Sequence, residues 1–152
     1  MSWIINLRKK IGHAPVFLPA SACLIIKDNK VLLQHRTDNG TWATHGGGLE
    51  FGETFEQALI REVNEELHIK PVNPIEFKTY SGKDFHVVYP NKDEVYIVCT
   101  MYIVEEYEGE IKPDNNEVSE VKWFDFDNLP ENLHAPDVKP IYEMIEYLKN
   151  RK

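Results

Sequence analysis

At 152 residues, 42% of them hydrophobic, the chain is long enough to bury a core without disulfide or metal staples and is most simply one domain, 1–152. Its 25 acidic residues outnumber 17 basic ones for a formal net charge of −8, which argues against a broad phosphate-backbone surface and hence against nonspecific nucleic-acid binding. The two cysteines, Cys23 and Cys99, each fall in an apolar run and read as reduced core thiols, not as a disulfide or metal pair.

Residues Ser2 to Ile11 are expected to form a short amphipathic helix, part of an N-terminal extension over 1–12. Trp3, Ile4, Leu7 and Ile11 fall on one side and Arg8, Lys9 and Lys10 on the other. Such a helix docks on its own domain or on a partner subunit, which leaves a homodimer open. Its basic residues follow the apolar ones and no long apolar segment occurs, so a cytoplasmic protein with no membrane partner is expected. Pro15 and Pro19 bracket an extended approach into the β run Ala20 to Ile26. That run turns at Asp28-Asn29 and returns as Val31 to His35, a predicted hairpin. Arg36 to Thr41 is a polar loop.

From Trp42 the chain reads W-A-T-H-G-G-G-L-E-F-G-E-T-F-E-Q-A-L-I-R-E-V-N-E-E-L-H-I. Gly46, Gly47, Gly48 and Gly52 mark backbone that turns sharply or approaches a ligand closely. Thr54 followed by Gln57 satisfies the capping box, so a helix is predicted over Phe55 to Leu67. Phe55, Leu59, Val63 and Leu67 make its apolar stripe, while Glu62, Glu65 and Glu66 share a neighbouring face at i, i+3 and i+4. Like charges so spaced cost a few tenths of a kcal/mol (~0.2–0.5) per pair. They need either open solvent or a hard divalent cation between them, and on the triad alone both readings stand.

Beyond the helix, Pro71 and Pro74 prevent its continuation and Ile75 to Tyr80 reads as a strand. The loop Ser81 to Glu94 carries Phe85, His86 and Tyr89, expected to be exposed and either to stack on a base or to pack the loop down. Val95 to Val104, the longest β run, is expected to be a central strand. An acidic, turn-rich stretch, Glu105 to Glu120, precedes the predicted strand Val121 to Phe126, and Ile141, Ile145 and Leu148 make a final helical stripe. Strands alternating with two main helices predict an α/β fold with a mixed sheet between helices.

The spacing Gly47, five residues, Glu53, seven residues, Arg61-Glu62-Val63, Glu65-Glu66, His68-Ile69 resembles the Nudix box of the MutT-like hydrolases, G-x5-E-x7-R-E-U-x-E-E-x-G-U with U a bulky aliphatic. At usage of about 5–7% for each specified type, such a coincidence falls well below roughly one in a million starts. The likeness extends to V-L-L-Q-H-R before the box and W-F-D-F-D-N-L-P after it. It departs at His68, where the box has glycine, and at His45, where members often carry proline. His68 is expected at positive φ, and His45 either as an ordinary loop residue or pointing at substrate phosphate.

The resemblance implies an α/β/α sandwich and an enzyme that hydrolyses a diphosphate linkage in a small-molecule nucleoside diphosphate derivative. It implies Mg²⁺ or Mn²⁺ held by Glu62, Glu65 and Glu66, with the carbonyl of Gly46 a further ligand. Glu65, Glu66 and Glu117 would carry the chemistry, Glu120 being the rival of Glu117. Gly47, Glu53 and Arg61 would support the site, and His45, Phe85 and Tyr89 would contact substrate. Two other readings share the fold: a noncatalytic nucleotide sensor, and an isomerase of the isopentenyl diphosphate type, which needs an accessible cysteine.

Overall fold

A computed structural model describes residues 2–116 and 118–151. A helix, α1 (Ser2–Ile11), leads into strand β1 (Val16–Lys27), which turns back as β2 (Lys30–Arg36). The turn residues Asp28 and Asn29 both have positive φ, 52° and 62°, the geometry that matches the twist of a two-residue hairpin. Two short strands follow, β3 (Trp42–Ala43) and β4 (His45–Gly48), then the box helix α2 (Phe55–Leu67). Next come β5 (Lys70–Val72), β6 (Ile75–Tyr80), β7 (His86–Val88), β8 (Glu94–Val104), β9 (Glu106–Glu108), β10 (Val118–Asp125) and helix α3 (Val138–Asn150).

The main sheet runs β10-β2-β1-β8-β6. β1 and β8 pair in parallel over Val16–Ile25, and the remaining pairings are antiparallel, so the sheet is mixed as predicted. β8 is an interior strand as expected, between β1 and β6, but the middle and longest strand is β1, at 12 residues against 11. β1 began earlier than expected because its first residues pair with β8, and Pro19 sits inside it.

Strand alternation sends the two faces of the sheet to different helices. Ala20, Leu24, Val31, Leu33, Cys99, Met101 and Ile103 pack with Ile141, Met144, Ile145 and Leu148 of α3. Cys23, Ile25, Leu32, Tyr102 and Val104 pack with Leu59, Val63 and Leu67 of α2. The result is the expected helix-sheet-helix sandwich. Full burial of each of those α2 side chains contributes about 1.5–3 kcal/mol, and this anchors the acidic face of the helix beside β4.

α1 forms where expected, with Trp3, Ile4 and Leu7 half-buried on the predicted side. It departs from the expectation at Ile11, which is exposed, and at Arg8, which faces inward with Nη2 donating to the Glu94 carbonyl at 2.8 Å. Trp3 donates Nε1–H to the Leu49 carbonyl at 2.8 Å, which ties α1 to the segment entering the box helix. Among the described residues no helix is long and apolar enough to cross a membrane.

Candidate active site

The capping box is present in full: Thr54 Oγ1 accepts from Gln57 N, and the Gln57 side chain accepts from Thr54 N. It fixes where α2 starts, and therefore which turn presents each glutamate to the glycine strand. Arg61 reaches back over that entry. Its Nε and Nη2 donate to the two carboxylate oxygens of Glu53 at 2.7 and 2.9 Å, Nη2 also to the Gly48 carbonyl at 3.0 Å, and Nη1 to Glu62 at 2.9 Å. The Arg61 fork holds the Glu53 carboxyl below its ordinary range, and Glu53 in turn raises Arg61, so both stay charged. Glu53 also accepts from Glu50 N, closing the loop at 2.7 Å.

The three box glutamates have different surroundings. Glu66 is buried, its carboxylate accepting from Gly46 N at 2.9 Å and from Gln34 Nε2 at 3.2 Å. Glu62 stands against Gly47, where an added β-carbon would come within 2.4 Å of its Cδ. Glu65 is more open, with Arg61 Nη1 3.4 Å away. The three therefore do not close on one point, and among the described residues no group of three His, Cys, Asp or Glu side chains forms a ready cation cage. Glu62 and Glu65 share Arg61 Nη1, while Glu66 turns to Gly46 N and Gln34. The set nonetheless fits a hard divalent ion: the donors are carboxylate oxygens, and glycine at 47 leaves the space that the Glu62 carboxylate occupies.

Gly46 is required for a different reason. Its φ is +152°, and a β-carbon there would fall 2.0 Å from the Ser21 carbonyl oxygen of β1. This close approach of two backbones brings β4, and with it the Gly46 amide, under Glu66.

Two joined spaces open from these groups. A polar cavity of about 350 Å³ is bordered by Gln34, Arg36, Thr44, Gly46, Glu66 and Asn116. A second cleft of about 210 Å³ shares Arg36, Thr44 and Gly46 with it and continues over an apolar floor that includes Leu18, Ala22, Ile97 and Met101. Its lining also includes His134 and Asp137. Asp137 accepts from both Thr44 N and Thr44 Oγ1, at 2.9 and 3.0 Å, which locks the start of α3 onto the junction between β3 and β4. Burial holds His134 below its ordinary range. Arg36, where the two spaces meet, pairs with Asp38 of its own loop at 2.6 Å.

Several sequence expectations change here. His45 is not a loop residue and does not face the cleft: it lies in β4, fully buried, with Nε2 donating to the Leu32 carbonyl at 3.0 Å. Burial brings its pKa down to about 4, so it is a neutral core group and not a phosphate ligand. Phe85 is buried beside Tyr80 and forms cleft wall, not an exposed stacking platform. His86 stacks on Tyr96 and pairs with Glu94. Of the three aromatics, Tyr89 alone is both exposed and on the cleft. Glu117 lies outside the described residues, whereas its neighbour Asn116 borders the polar cavity. Glu120 is an exposed residue of β10 opposite His35. Cys23 and Cys99 are free and buried, and burial raises both thiols.

Gln34, Arg36, Thr44, Asn116 and Asp137 were not anticipated. Gln34 carried a signal: strand alternation from Leu32 directs it to the α2 side, where a buried amide needs a polar partner such as Glu66.

A sequence model of the NUDIX domain matches residues 17–148, and the chain belongs to that family. Members of the family generally use divalent metal ions. The chain is 34% identical over 111 residues to the ADP-ribose pyrophosphatase of Methanocaldococcus jannaschii, covering 70% of this chain and 61% of that one. It is 36% identical over 120 residues to the NAD-capped RNA hydrolase NudC of Escherichia coli (strain SMS-3-5 / SECEC), covering 78% and 43%. It thus spans less than two thirds of the length of each of these curated relatives. The crystal structure of MutT NUDIX hydrolase from Burkholderia pseudomallei shares the fold, with a TM-score of 0.72 at 24% identity over 86% of this chain and 97% of that one.

Proposed function

We propose that the protein is a cytoplasmic pyrophosphohydrolase that cleaves a diphosphate linkage in a nucleoside diphosphate derivative, using Mg²⁺ or Mn²⁺ held by Glu62, Glu65, Glu66 and the carbonyl of Gly46. The observation that carries this reading is the meeting of the Glu66 carboxylate and an apolar-floored cleft across Arg36, Thr44 and Gly46. A diphosphate needs the first and a nucleoside the second. The activities of the pyrophosphatase and NudC relatives accord with it.

When bound, the cation supplies charge neutralisation at the phosphate oxygens and a more acidic water. The remaining work falls to side chains. Gln34 and the Gly46 amide hold Glu66 in one orientation. Arg61 fixes Glu62 and the Glu53 loop, so the Glu62 carboxylate is oriented before substrate arrives. Arg36 stands where an anionic diphosphate would cross from one space to the other, and Tyr89 at the rim of the nucleoside slot. Glu117 takes the proton of the attacking water.

The test of these roles is a Mn²⁺ titration of the parent, Glu65→Gln and Glu66→Gln, with single-turnover hydrolysis by Glu117→Gln and Glu120→Gln. Weaker Mn²⁺ binding is expected in the first two variants. Turnover should fall by about 10²- to 10⁴-fold in Glu117→Gln and far less in Glu120→Gln. Parental Mn²⁺ affinity in both box variants places the metal elsewhere, and parental turnover in Glu117→Gln removes it from the mechanism.

A further inference from the structure

The one box position that departs from the family pattern makes a contact that glycine cannot make. His68 adopts the left-handed backbone, φ 61° and ψ 29°, at the end of α2. Its Nδ1 lies 2.6 Å from the carbonyl oxygen of Lys112. A carbonyl only accepts, so Nδ1 carries the proton and donates it.

The segment it touches is held to the same helix end by two further bonds. The last carbonyls of a helix lack partners within it. Here Lys112 N donates to the Leu67 carbonyl and Asp114 N to the Glu66 carbonyl, both at 2.8 Å. Upstream, β9 pairs with β5, and Gly109 passes so close to the backbone of His68 that a β-carbon would stand 3.0 Å from its carbonyl oxygen. Downstream, the Asp114 carbonyl accepts from Val118 N at 3.0 Å and its Oδ1 from Asn116 N at 3.3 Å. The chain from His68 to the cavity wall at Asn116 is therefore a short series of bonds: imidazole to Lys112, Lys112 and Asp114 to the helix end, Asp114 to Asn116.

We propose that His68 is a positioning residue: its imidazole clamps Lys112–Asn116 onto the end of α2 and so sets the part of the polar cavity's wall that Asn116 forms. The catalytic half of this statement rests on the pyrophosphohydrolase reading above, and the clamp itself rests on the geometry alone. Histidine replaces the conformational ease of glycine with a donor, at a position where histidine is among the side chains that tolerate positive φ.

Three substitutions separate conformation from contact. His68→Asn and His68→Asp both tolerate the left-handed backbone and place an atom at the bond count of imidazole Nδ1, but asparagine offers a donor there and aspartate does not. His68→Gly removes strain and contact together. Two quantities are read: hydrogen exchange at the Lys112 and Asp114 amides in the metal-free protein, and kcat with KM on a substrate that the parent cleaves. We expect exchange at both amides to quicken by about 3- to 10-fold in the glycine and aspartate variants, with kcat lowered by a similar factor and KM little changed. His68→Asn restores both. Unchanged amide protection in His68→Gly and His68→Asp overturns the clamp. Faster exchange with parental kcat overturns its positioning role. A parent that cleaves no diphosphate substrate overturns the pyrophosphohydrolase reading and the catalytic half of this proposal with it, while the exchange measurement, which needs no substrate, decides the clamp by itself.

Discussion

The carboxylate of Glu62 occupies the space that a side chain on residue 47 would need, since a β-carbon there would lie 2.4 Å from Glu62 Cδ and 2.6 Å from its Oε2. Gly47 is thus a glycine because of what stands beside it. The obstructing atom is the far end of a flexible side chain, so Gly47→Ala should fold, moving Glu62 aside. We expect its stability to stay within about 1 kcal/mol of the parent. Mn²⁺ affinity should fall by about 10- to 100-fold, as when a ligand's surroundings are disturbed. The contrast is Gly46→Ala, whose β-carbon would meet the backbone of Ser21 and Ala22. That variant should lose roughly 3 kcal/mol or more of stability in urea unfolding. Equal unfolding midpoints for the two variants would contradict this division.

Arg61 holds the carboxylates of Glu53 and Glu62 and the Gly48 carbonyl with one planar fork, and its Nη1 also reaches Glu65 at 3.4 Å. Lysine carries the same charge without the fork and cannot satisfy Glu53, Gly48 and Glu62 together. Arg61→Lys should destabilise the protein by about 1–3 kcal/mol and weaken Mn²⁺ binding through Glu62, to which Arg61 Nη1 donates. Parental stability and Mn²⁺ affinity in this variant would show that the charge alone suffices.

Burial of His45 lowers its pKa to about 4 from an ordinary 6.5. The unfolded chain therefore binds a proton below pH 6.5 that the folded chain refuses until about pH 4. The neutral-state stability is full above pH 6.5 and is lost as pH falls through the window from 6.5 to 4, by roughly 3 kcal/mol in all. His45→Gln offers an amide N–H toward the Leu32 carbonyl and does not titrate. Its unfolding free energy should fall less steeply between pH 7 and pH 4.5 than that of the parent, and identical slopes would remove His45 as the cause.

The box helix was legible in full because its determinants are local: a capping box at Thr54, a four-residue apolar stripe and a helix stop at His68. Each acts within a few residues of sequence. His45 was misplaced because glycines on its C-terminal side signal a loop, while its real environment is set by pairing with Cys23 on β1, 22 positions away. For Phe85 the packing alternative holds, although the residue is buried and not exposed. It lies in a polar, turn-rich stretch, and only the folding of Lys83–Phe85 against Tyr80 buries it. Arg36 came from a segment read as a loop and Asp137 from the stretch between the last predicted strand and the final helix; the pairing of β2 and the docking of α3 bring them together. The inward turn of Arg8 depends on the Glu94 carbonyl, 86 positions away, which helix periodicity does not contain.

The central claim is that metal on the α2 carboxylates drives hydrolysis of a diphosphate linkage. The most direct measurement is product analysis after incubating the parent and Glu66→Gln with nucleoside triphosphates, ADP-ribose, dinucleoside polyphosphates, sugar nucleotides and capped RNA, each with Mg²⁺, Mn²⁺ or a chelator. We predict that the parent splits at least one of these at a phosphoric anhydride only when metal is present, and that Glu66→Gln slows this by at least about 10²-fold. Cleavage that persists undiminished in the chelator or in Glu66→Gln, or a parent that binds these nucleotides and cleaves none of them, would contradict the account.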